Sequence, residues 1–471
     1  MTDILGSPGL NLRVDRDKTA PPLSEQIFSS LREAIVEGRV EPGARLPSWR
    51  DLAVQLGVAR GTVQTVYERL ADERLIFSAG AAGTRASGPP AAPPPASRVK
   101  IERPLQGLAR GYSLPCLPFQ TGVPAQDAFP AGVWARCLGR AVREDALIAP
   151  SYPDPRGVPE LRAQIAAHLA VARGVQCVPD QVIVTGSFRA GVALAIDVIG
   201  AAGREAWMED PGFPITRMGL EQAGMRPVSV TVDLEGIDVE RGEALAPDAA
   251  FALVTPGQQA PTGVTLSPER RRALLDWAAR TGGWIIEDDY LSELQLGGRA
   301  APALASQDAE GRVILVGSFS KTLKPTLGVG FVVAPMALAE RFGRLAAARS
   351  PLFNPVPQLA MAAMLADGHY MRHLRHMKRI YGARMDALRA AIGEGVRLEP
   401  MAGPQMRLDL PPGTDDVALA RVAPELGIAP TPLSPWYADP ASRRPGLLLG
   451  VTNLTEPLLA KACASLRQLV G

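Results

Sequence analysis

Histidine and cysteine are scarce in this 471-residue chain, with four of each. Cys116, Cys137, Cys177 and Cys463 are too few and too scattered for a disulfide framework or a zinc site, and read as reduced thiols in a cytoplasmic protein. No apolar run approaches the ~20 residues needed to span a bilayer, so no membrane partner is expected. The start, MTDILGSPGLNLRVDRDK, lacks a cationic stretch followed by an apolar one, so no signal peptide is expected. An excess of one charge is lacking too: 50 Lys+Arg face 48 Asp+Glu, a balance of +2. That excludes a globally basic nucleic-acid coat and confines any DNA contact to a local surface. Apolar residues make up 46%, enough for a large core and too many for wholesale disorder.

At roughly 150 residues per domain the length suggests about three domains. The clearest boundary is SGPPAAPPPAS at 87–97, uncharged and proline-rich, which favours extended polyproline II and reads as a semi-rigid linker. It separates a small module, 20–86, from a large one, 113–471, with 87–112 as linker.

In the small module, Ile27, Leu31, Ala34 and Ile35 recur at helical spacing and Gly38 marks a stop. A second helix follows Ser48 as N-cap and ends at Gly57. A tight turn, Val58-Ala59-Arg60-Gly61, leads into a third helix whose Val63, Val66 and Leu70 share a face while Thr62, Gln64 and Thr65 stay exposed near its start. Helix, short Gly-containing turn and polar helix start make a helix-turn-helix, whose second helix enters the major groove. LIFSAGAAGTRAS then reads as a β-hairpin. Residues 1–87 carry 11 basic and 11 acidic residues, so a monomer would bind DNA feebly and a dimer on two half-sites is expected.

The run RLPSWRDLAVQLGVARGTVQTVYERL resembles the winged helix-turn-helix of GntR-type bacterial regulators. The resemblance implies double-stranded operator DNA as partner and Arg45, Ser48, Arg50, Arg60, Thr62, Thr65 and Tyr67 as the contacting set. Trp49 replaces a small or polar residue usual there.

In the large module, QVIVTGS runs from a β-branched stretch into a helix, an arrangement that offers free N–H groups to an anion. GGWIIEDDYLSE ends a strand in three acids and a tyrosine, where open α/β sheets bind ligands; a cation, a metal or a protonated ring nitrogen would each suit a carboxylate there. In VILVGSFSKTLKPTLGVGFVVAP, Lys321 lies between two apolar strands beside hydroxyls. Burial lowers a lysine pKa and makes the amine nucleophilic. Carboxylate, tyrosine and lysine at successive strand ends fit pyridoxal phosphate.

The segments SYPDPRGVPELRAQIAAHLAVARG, MEDPGFP, VTPGQQAPTG and GSFSKTLKPTLGVGFVV follow one another as in fold-type I aminotransferases, and their order behind a winged helix resembles the MocR/GabR-type subfamily of GntR regulators. The resemblance implies that Lys321 carries the cofactor, Asp288 partners its ring nitrogen, Tyr290 bonds its hydroxyl, Phe213 stacks on the ring, and Ser187, Ser318 and Ser320 lie at the phosphate. Asp154, Arg156 and Gly157 belong to a signature taken as mainly structural.

Departures from that pattern carry information. Gly328 replaces an arginine near the phosphate, for which Arg189 is a candidate substitute. Gln258 replaces a histidine, and Ala260 an aromatic or asparagine beside the ring. Leu447 and Ile215 stand where carboxylate-binding arginines are usual, which argues against ordinary transamination of an amino acid and against GABA as effector.

The expected fold is therefore an N-terminal winged helix-turn-helix, mainly α with a β-hairpin wing, followed by an α/β fold-type I transferase. Its larger part is expected over about 115–350, the helix-rich stretch 358–392 next, and a smaller α+β part over 370–471. The expected protein is a homodimer, head-to-tail, that senses a small amine or the cofactor itself rather than turning over a substrate. An active aminotransferase with a DNA-binding head, and a degenerate fold without cofactor, are the alternatives. No metal site is expected; His369, His373 and His376 read as part of a basic exposed helix face.

Overall fold

The computed structural model describes residues 12, 14–17, 20–87, 115–148, 151–296, 301–349, 354–393, 396, 398–401 and 403–471. The linker expected at 87–112 lies outside the described residues apart from Ser87. The chain divides into two compact units, residues 1–102 and 103–471.

In the first unit, α1 (Leu23–Val36) buries Ile27, Phe28, Leu31, Ala34 and Ile35 on one face. The short α2 (Trp49–Leu56) starts at Ser48, whose Oγ accepts from the Asp51 N–H at 3.2 Å, and stops at Gly57, left-handed at φ 62°. The third helix, α3 (Arg60–Asp72), buries Val63, Val66, Tyr67 and Leu70. A hairpin of β1 (Ile76–Ser78) and β2 (Thr84–Ala86) pairs antiparallel, Ile76 opposite Ala86. The unit's hydrophobic cluster is drawn wholly from residues 12–86.

The second unit opens with α4 (Ala131–Asp145) and α5 (Pro159–Arg173). Then come β3 (Val182–Thr185), α6 (Phe188–Ile199), β4 (Glu205–Asp210), α7 (Pro214–Gln222), β5 (Arg226–Asp233), β6 (Gly236–Ile237), α8 (Val239–Leu245), β7 (Phe251–Val254), α9 (Pro268–Thr281), β8 (Trp284–Asp288), β9 (Val313–Ser318), β10 (Gly330–Val333) and α10 (Met336–Arg349). These strands form one sheet in the order β3-β10-β9-β8-β7-β4-β5-β6. Strands β5, β4, β7, β8 and β9 run parallel, as the alternation of apolar strands with helices implies; β10 is antiparallel to both neighbours and β6 closes the far edge. Strands β7 and β9 are buried almost throughout, which is what a sheet covered on both faces requires.

Helices α11 (Pro355–Ala366) and α12 (His369–Ile392) lead into a smaller layer of β11 (Leu398–Pro400), β12 (Gln405–Asp409), α13 (Asp416–Val422), β13 (Thr431–Pro432), β14 (Gly446–Gly450) and α14 (Glu456–Val470). Its antiparallel sheet runs β11-β12-β14-β13. The fold is that of a winged helix-turn-helix followed by a fold-type I α/β domain with a smaller α+β part. All four cysteines are free. No helix among the described residues is long and apolar enough to cross a membrane, and no group of three potential metal ligands occurs among them.

One expectation about α12 is corrected. His373 is not on an exposed basic face: it is 6% exposed, and its Nε2 lies 2.7 Å from the Thr322 carbonyl oxygen. Position 373 falls between Tyr370 and Met377 on the buried stripe, so helical phase decides its side.

The signature around Asp154 is structural, as expected. Asp154 ion-pairs with Arg156 and with buried Arg162, and Gly157, at φ 103°, lies against Val184 of β3. A Cβ at 157 would meet the Val184 side chain at 2.5 Å. Gly157→Ala is accordingly expected to destabilise the second unit by about 2–3 kcal/mol, read as a lowered urea midpoint for its transition.

Candidate functional site

Asp288 ends β8, Ser318 ends β9, and Gly330 at the start of β10 pairs with both Ser318 and Thr185. The carboxyl ends of β3, β8 and β9 therefore meet at one edge, bringing Ser187, Asp288, Ser318, Ser320 and Lys321 together from segments far apart in the chain. A Cβ at Gly330 would lie 3.0 Å from the Gly317 oxygen and 3.1 Å from the Ser187 carbonyl carbon, so the close approach of these turns requires glycine.

The acidic run after β8 splits three ways. Glu287 points into the core and accepts from the Leu304 and Ala305 N–H groups, both at 2.8 Å; burial pushes its pKa up to about 7. Asp289 ion-pairs with buried Arg173 at 3.0 Å. Asp288 makes no side-chain hydrogen bond or ion pair with another described residue. Burial, reinforced by the charges of Asp289 and Glu209, raises its pKa well above the carboxylate range, and Lys321 opposes the rise. Burial lowers the Lys321 pKa, against the pull of Asp288. Its Nζ donates to the Gly122 carbonyl oxygen at 2.7 Å, a contact across 199 residues of sequence. Nothing in the composition of the segment around Gly122 marks it as site-forming; only the folded chain shows it.

Tyr290 is packed beside the same edge, its hydroxyl accepting from Gln405 Nε2 at 3.1 Å, and burial pushes its pKa up to about 12. The Ser318 hydroxyl donates to Ser320 Oγ at 2.8 Å. Ser187 caps α6, its Oγ accepting from the Ala190 N–H at 3.2 Å, so the unpaired N–H groups of the helix start face the edge. A small cleft beside the Lys321 amine is lined by Gly122, Leu291, Tyr381, Gln405 and Thr452.

Behind the lysine lies a buried polar chain that the sequence did not indicate. Tyr370 donates to Glu293 Oε2 at 2.8 Å and its hydroxyl also bonds Thr322 Oγ1 at 3.0 Å, while His168 bonds the other Glu293 oxygen. With His373 on the Thr322 carbonyl, these groups fix the residue next to Lys321 on both its side chain and its backbone.

Phe213 is 42% exposed and leans on Trp436, ring centroids 5.2 Å apart. The strand facing it corrects one expectation. Leu447 points into the small part's core with Met406 and Leu449, whereas Leu448 shares a cluster with Leu433 and Trp436, against which Ala260 packs. Strand alternation puts the next residue, not Leu447, on the side toward Trp436.

In the first unit, Arg45, Arg50 and Arg60 are exposed on the elements that precede and start α2 and α3. Trp49 packs partly against the core, with the Arg50 guanidinium 4.8 Å from its ring centre. Arg45 lies against the wing at Gly83. Thr62 and Thr65 are on the outer side of α3's first turns, Thr65 Oγ1 donating to the Gly61 carbonyl at 3.0 Å. Ser48 is exposed, but its hydroxyl is engaged with Asp51. Tyr67 stands apart from the set: it is 6% exposed and its hydroxyl donates to the Pro47 carbonyl at 2.8 Å, tying α3 to the start of α2.

Comparison with known proteins agrees with both halves. Residues 23–85 match bacterial regulatory proteins of the gntR family, and residues 136–463 match aminotransferase class I and II. The chain is 32% identical over 472 aligned residues to the probable rhizopine catabolism regulatory protein MocR of Rhizobium meliloti, covering 97% of this chain and 95% of that one. It is 31% identical to the HTH-type pyridoxine biosynthesis transcriptional regulator PdxR of Corynebacterium glutamicum, covering 95% of each. Among solved structures, LysN, an α-aminoadipate aminotransferase from Thermus thermophilus, superposes with a TM-score of 0.66 at 27% identity, over 78% of this chain and 93% of its own. The chain belongs to the MocR-type GntR-family transcriptional regulators, in which a helix-turn-helix head is joined to a domain of the aminotransferase class I and II family.

Proposed function

We propose that this regulator holds pyridoxal phosphate at the strand-end site and reads a small amine there, the DNA-binding head reporting the outcome. The observation that carries the reading is a desolvated Lys321 amine within electrostatic reach of a buried acid, Asp288, that makes no hydrogen bond or ion pair with another described residue. Bound there, pyridoxal phosphate supplies an aldehyde that condenses with amines and a ring that withdraws electrons.

The chain's own groups fit that occupant. Lys321 presents an amine whose pKa burial lowers. Burial disfavours the ionised form of Asp288, and a cation beside it, such as a ring N–H, would favour that form. Tyr290, held by Gln405, presents a protonated phenol. Ser318, Ser320 and the α6 N-terminus offer donors to a phosphate. Arg189 takes the place of the missing arginine: position 328 lies 3.9 Å from the Gly186 oxygen by its Cβ direction, and the Arg189 charge reaches Lys321. Phe213 covers the ring. In the head, Arg45, Arg50, Arg60, Thr62 and Thr65 meet the operator, with Ser48 and Tyr67 holding the elements that present them. A homodimer would supply the two half-site contacts that a charge-neutral head needs.

The first test is visible absorption of the purified protein with added pyridoxal phosphate. A band from the lysine-bound cofactor is expected in the native protein and not in Lys321→Ala; its absence from both would remove the cofactor from the account. Arg189→Ala is expected to weaken cofactor affinity by the loss of one charge-assisted contact, about 1.5–3 kcal/mol or roughly 10- to 100-fold, read by titrating the same band. With an amine and a keto acid supplied together, no steady turnover is expected. For the head, Arg60→Ala should cost about 1–3 kcal/mol in binding to duplex DNA from upstream of its own gene and lower the salt dependence by about one ion, measured by fluorescence anisotropy.

A further inference from the structure

Three acids at and just after the end of β8 each face a different cation. Asp288 lies within electrostatic reach of Lys321, Asp289 ion-pairs with Arg173, and Glu293 pairs with His168. Arg173 and His168 both stand on α5, so one helix pins the turn at two points. The turn needs such anchors. Leu291, between Tyr290 and Glu293, is held at φ 51°, a conformation that residues with a side chain rarely adopt.

Glu293 stands where two anchors cross. One of its oxygens meets His168, and the other accepts from the Tyr370 hydroxyl at 2.8 Å, which also bonds Thr322 Oγ1 at 3.0 Å. Thr322 adjoins Lys321, and its carbonyl oxygen is 2.7 Å from His373 Nε2. One carboxylate thus ties the turn that carries Asp288 and Tyr290 to the turn that carries Lys321. Aromatic rings close around it: Tyr370 meets His168 edge-on with centroids 5.3 Å apart, and Phe319 at 5.4 Å. The His168 and Glu293 side chains are only 11% and 17% exposed, so removing the charge of one leaves the other costly to keep.

The charged groups around His168 are Glu293 and Asp289 from the β8 turn and Arg173 on its own helix, with the Tyr370 phenol from α12. Burial lowers the His168 pKa, but the hydrogen bond and charge of Glu293, joined by Asp289, outweigh it and hold the imidazole above its usual value. Burial raises the Glu293 pKa, yet the His168 bond and charge, then Tyr370 and Arg173, bring it below the carboxylate range. The pair is therefore whole between the ordinary carboxylate and imidazole values. It is lost upward as pH passes the raised His168 pKa, and downward only as pH passes the lowered Glu293 pKa.

We infer that Glu293, paired with a charged His168, is the positioning residue that holds Asp288 and Tyr290 in register with Lys321, so that loss of the His168 proton loosens the site. The consequence for sensing rests on the cofactor reading proposed above and makes it proton-dependent.

Histidine NMR and hydrogen exchange test this on the full-length protein without cofactor. Of the four histidine signals, one should titrate above the usual value of about 6.5, vanish in His168→Gln, and fall to or below that value in Glu293→Gln. Amide exchange over 288–296, corrected for its intrinsic pH dependence, should quicken roughly fivefold or more as pH rises through that transition. The step should persist in Tyr370→Phe and be absent from Glu293→Gln and His168→Gln. Glu293→Gln keeps the size and hydrogen-bonding shape of the residue, so a merely structural role predicts native behaviour there; should it not fold, His168→Gln decides. With pyridoxal phosphate added, native affinity read from the visible band should fall across the same pH range roughly fivefold or more relative to Tyr370→Phe. A native His168 signal at or below the usual value, or an exchange step that survives in Glu293→Gln, would overturn the inference. Equal affinity profiles in native protein and Tyr370→Phe would overturn the tie to Lys321. If no visible band forms at any pH, the cofactor reading fails, and the NMR and exchange arms alone decide whether Glu293 holds the turn.

Discussion

Desolvation of charge at the ends of β8 and β9 is the constraint on which this structure turns. Lys321, Asp288, Glu287 and Glu209 are all titratable groups taken largely out of water, and each is pushed toward its neutral form. Three find compensation inside the protein: Glu287 in two backbone N–H groups, Glu209 in Thr255 and Gln259, and Lys321 in the Gly122 carbonyl. Asp288 does not. A buried acid without a partner is costly, and on the reading proposed above a bound cofactor would complete the pairing beside Lys321.

Around that edge the fold acts as a positioning device. The polar chain from His168 through Glu293 and Tyr370 to Thr322 sets the backbone next to Lys321, and Gln405 from the small part orients Tyr290 in the large one. Site geometry therefore depends on contacts between the two sheets of the second unit as well as on each sheet alone. The head requires no such contacts for its core, since α1, α2, α3 and the hairpin bury one another.

Local signals in the sequence carried much of this. Ser48 and Gly57 marked both ends of α2, and the Val63, Val66, Leu70 stripe fixed the buried side of α3. Strand-then-hydroxyl patterns located Ser187, Ser318 and Lys321 at one edge because parallel strands deliver their carboxyl ends together. What escaped was long-range or a matter of phase. The resemblance counts Tyr67 among the DNA contacts, but its phase on α3, alongside Val63 and Leu70, buries it. Leu447 and Leu448 differ only by strand alternation, which three successive leucines hide. His373 sits among exposed cations in sequence and among apolar residues in space. Gly122, Gln405 and Trp436 come from segments with no chemical signature, and their roles exist only through contacts hundreds of residues apart.

The stitching of Phe119 to Gly450 places the opening segment of the second unit against its last strand. A Cβ at Gly450 would lie 2.3 Å from the Gln120 oxygen, so the two backbones pack in direct contact, and Thr121 bonds Thr431 close by. The carbonyl that holds the lysine is thus clamped by chain far along the sequence. A reading-frame lesion ahead of codon 446 would delete that clamp and leave every residue of the head's core encoded. Loss of the chain beyond residue 446 would therefore loosen the strand-end site while leaving the helix-turn-helix core whole.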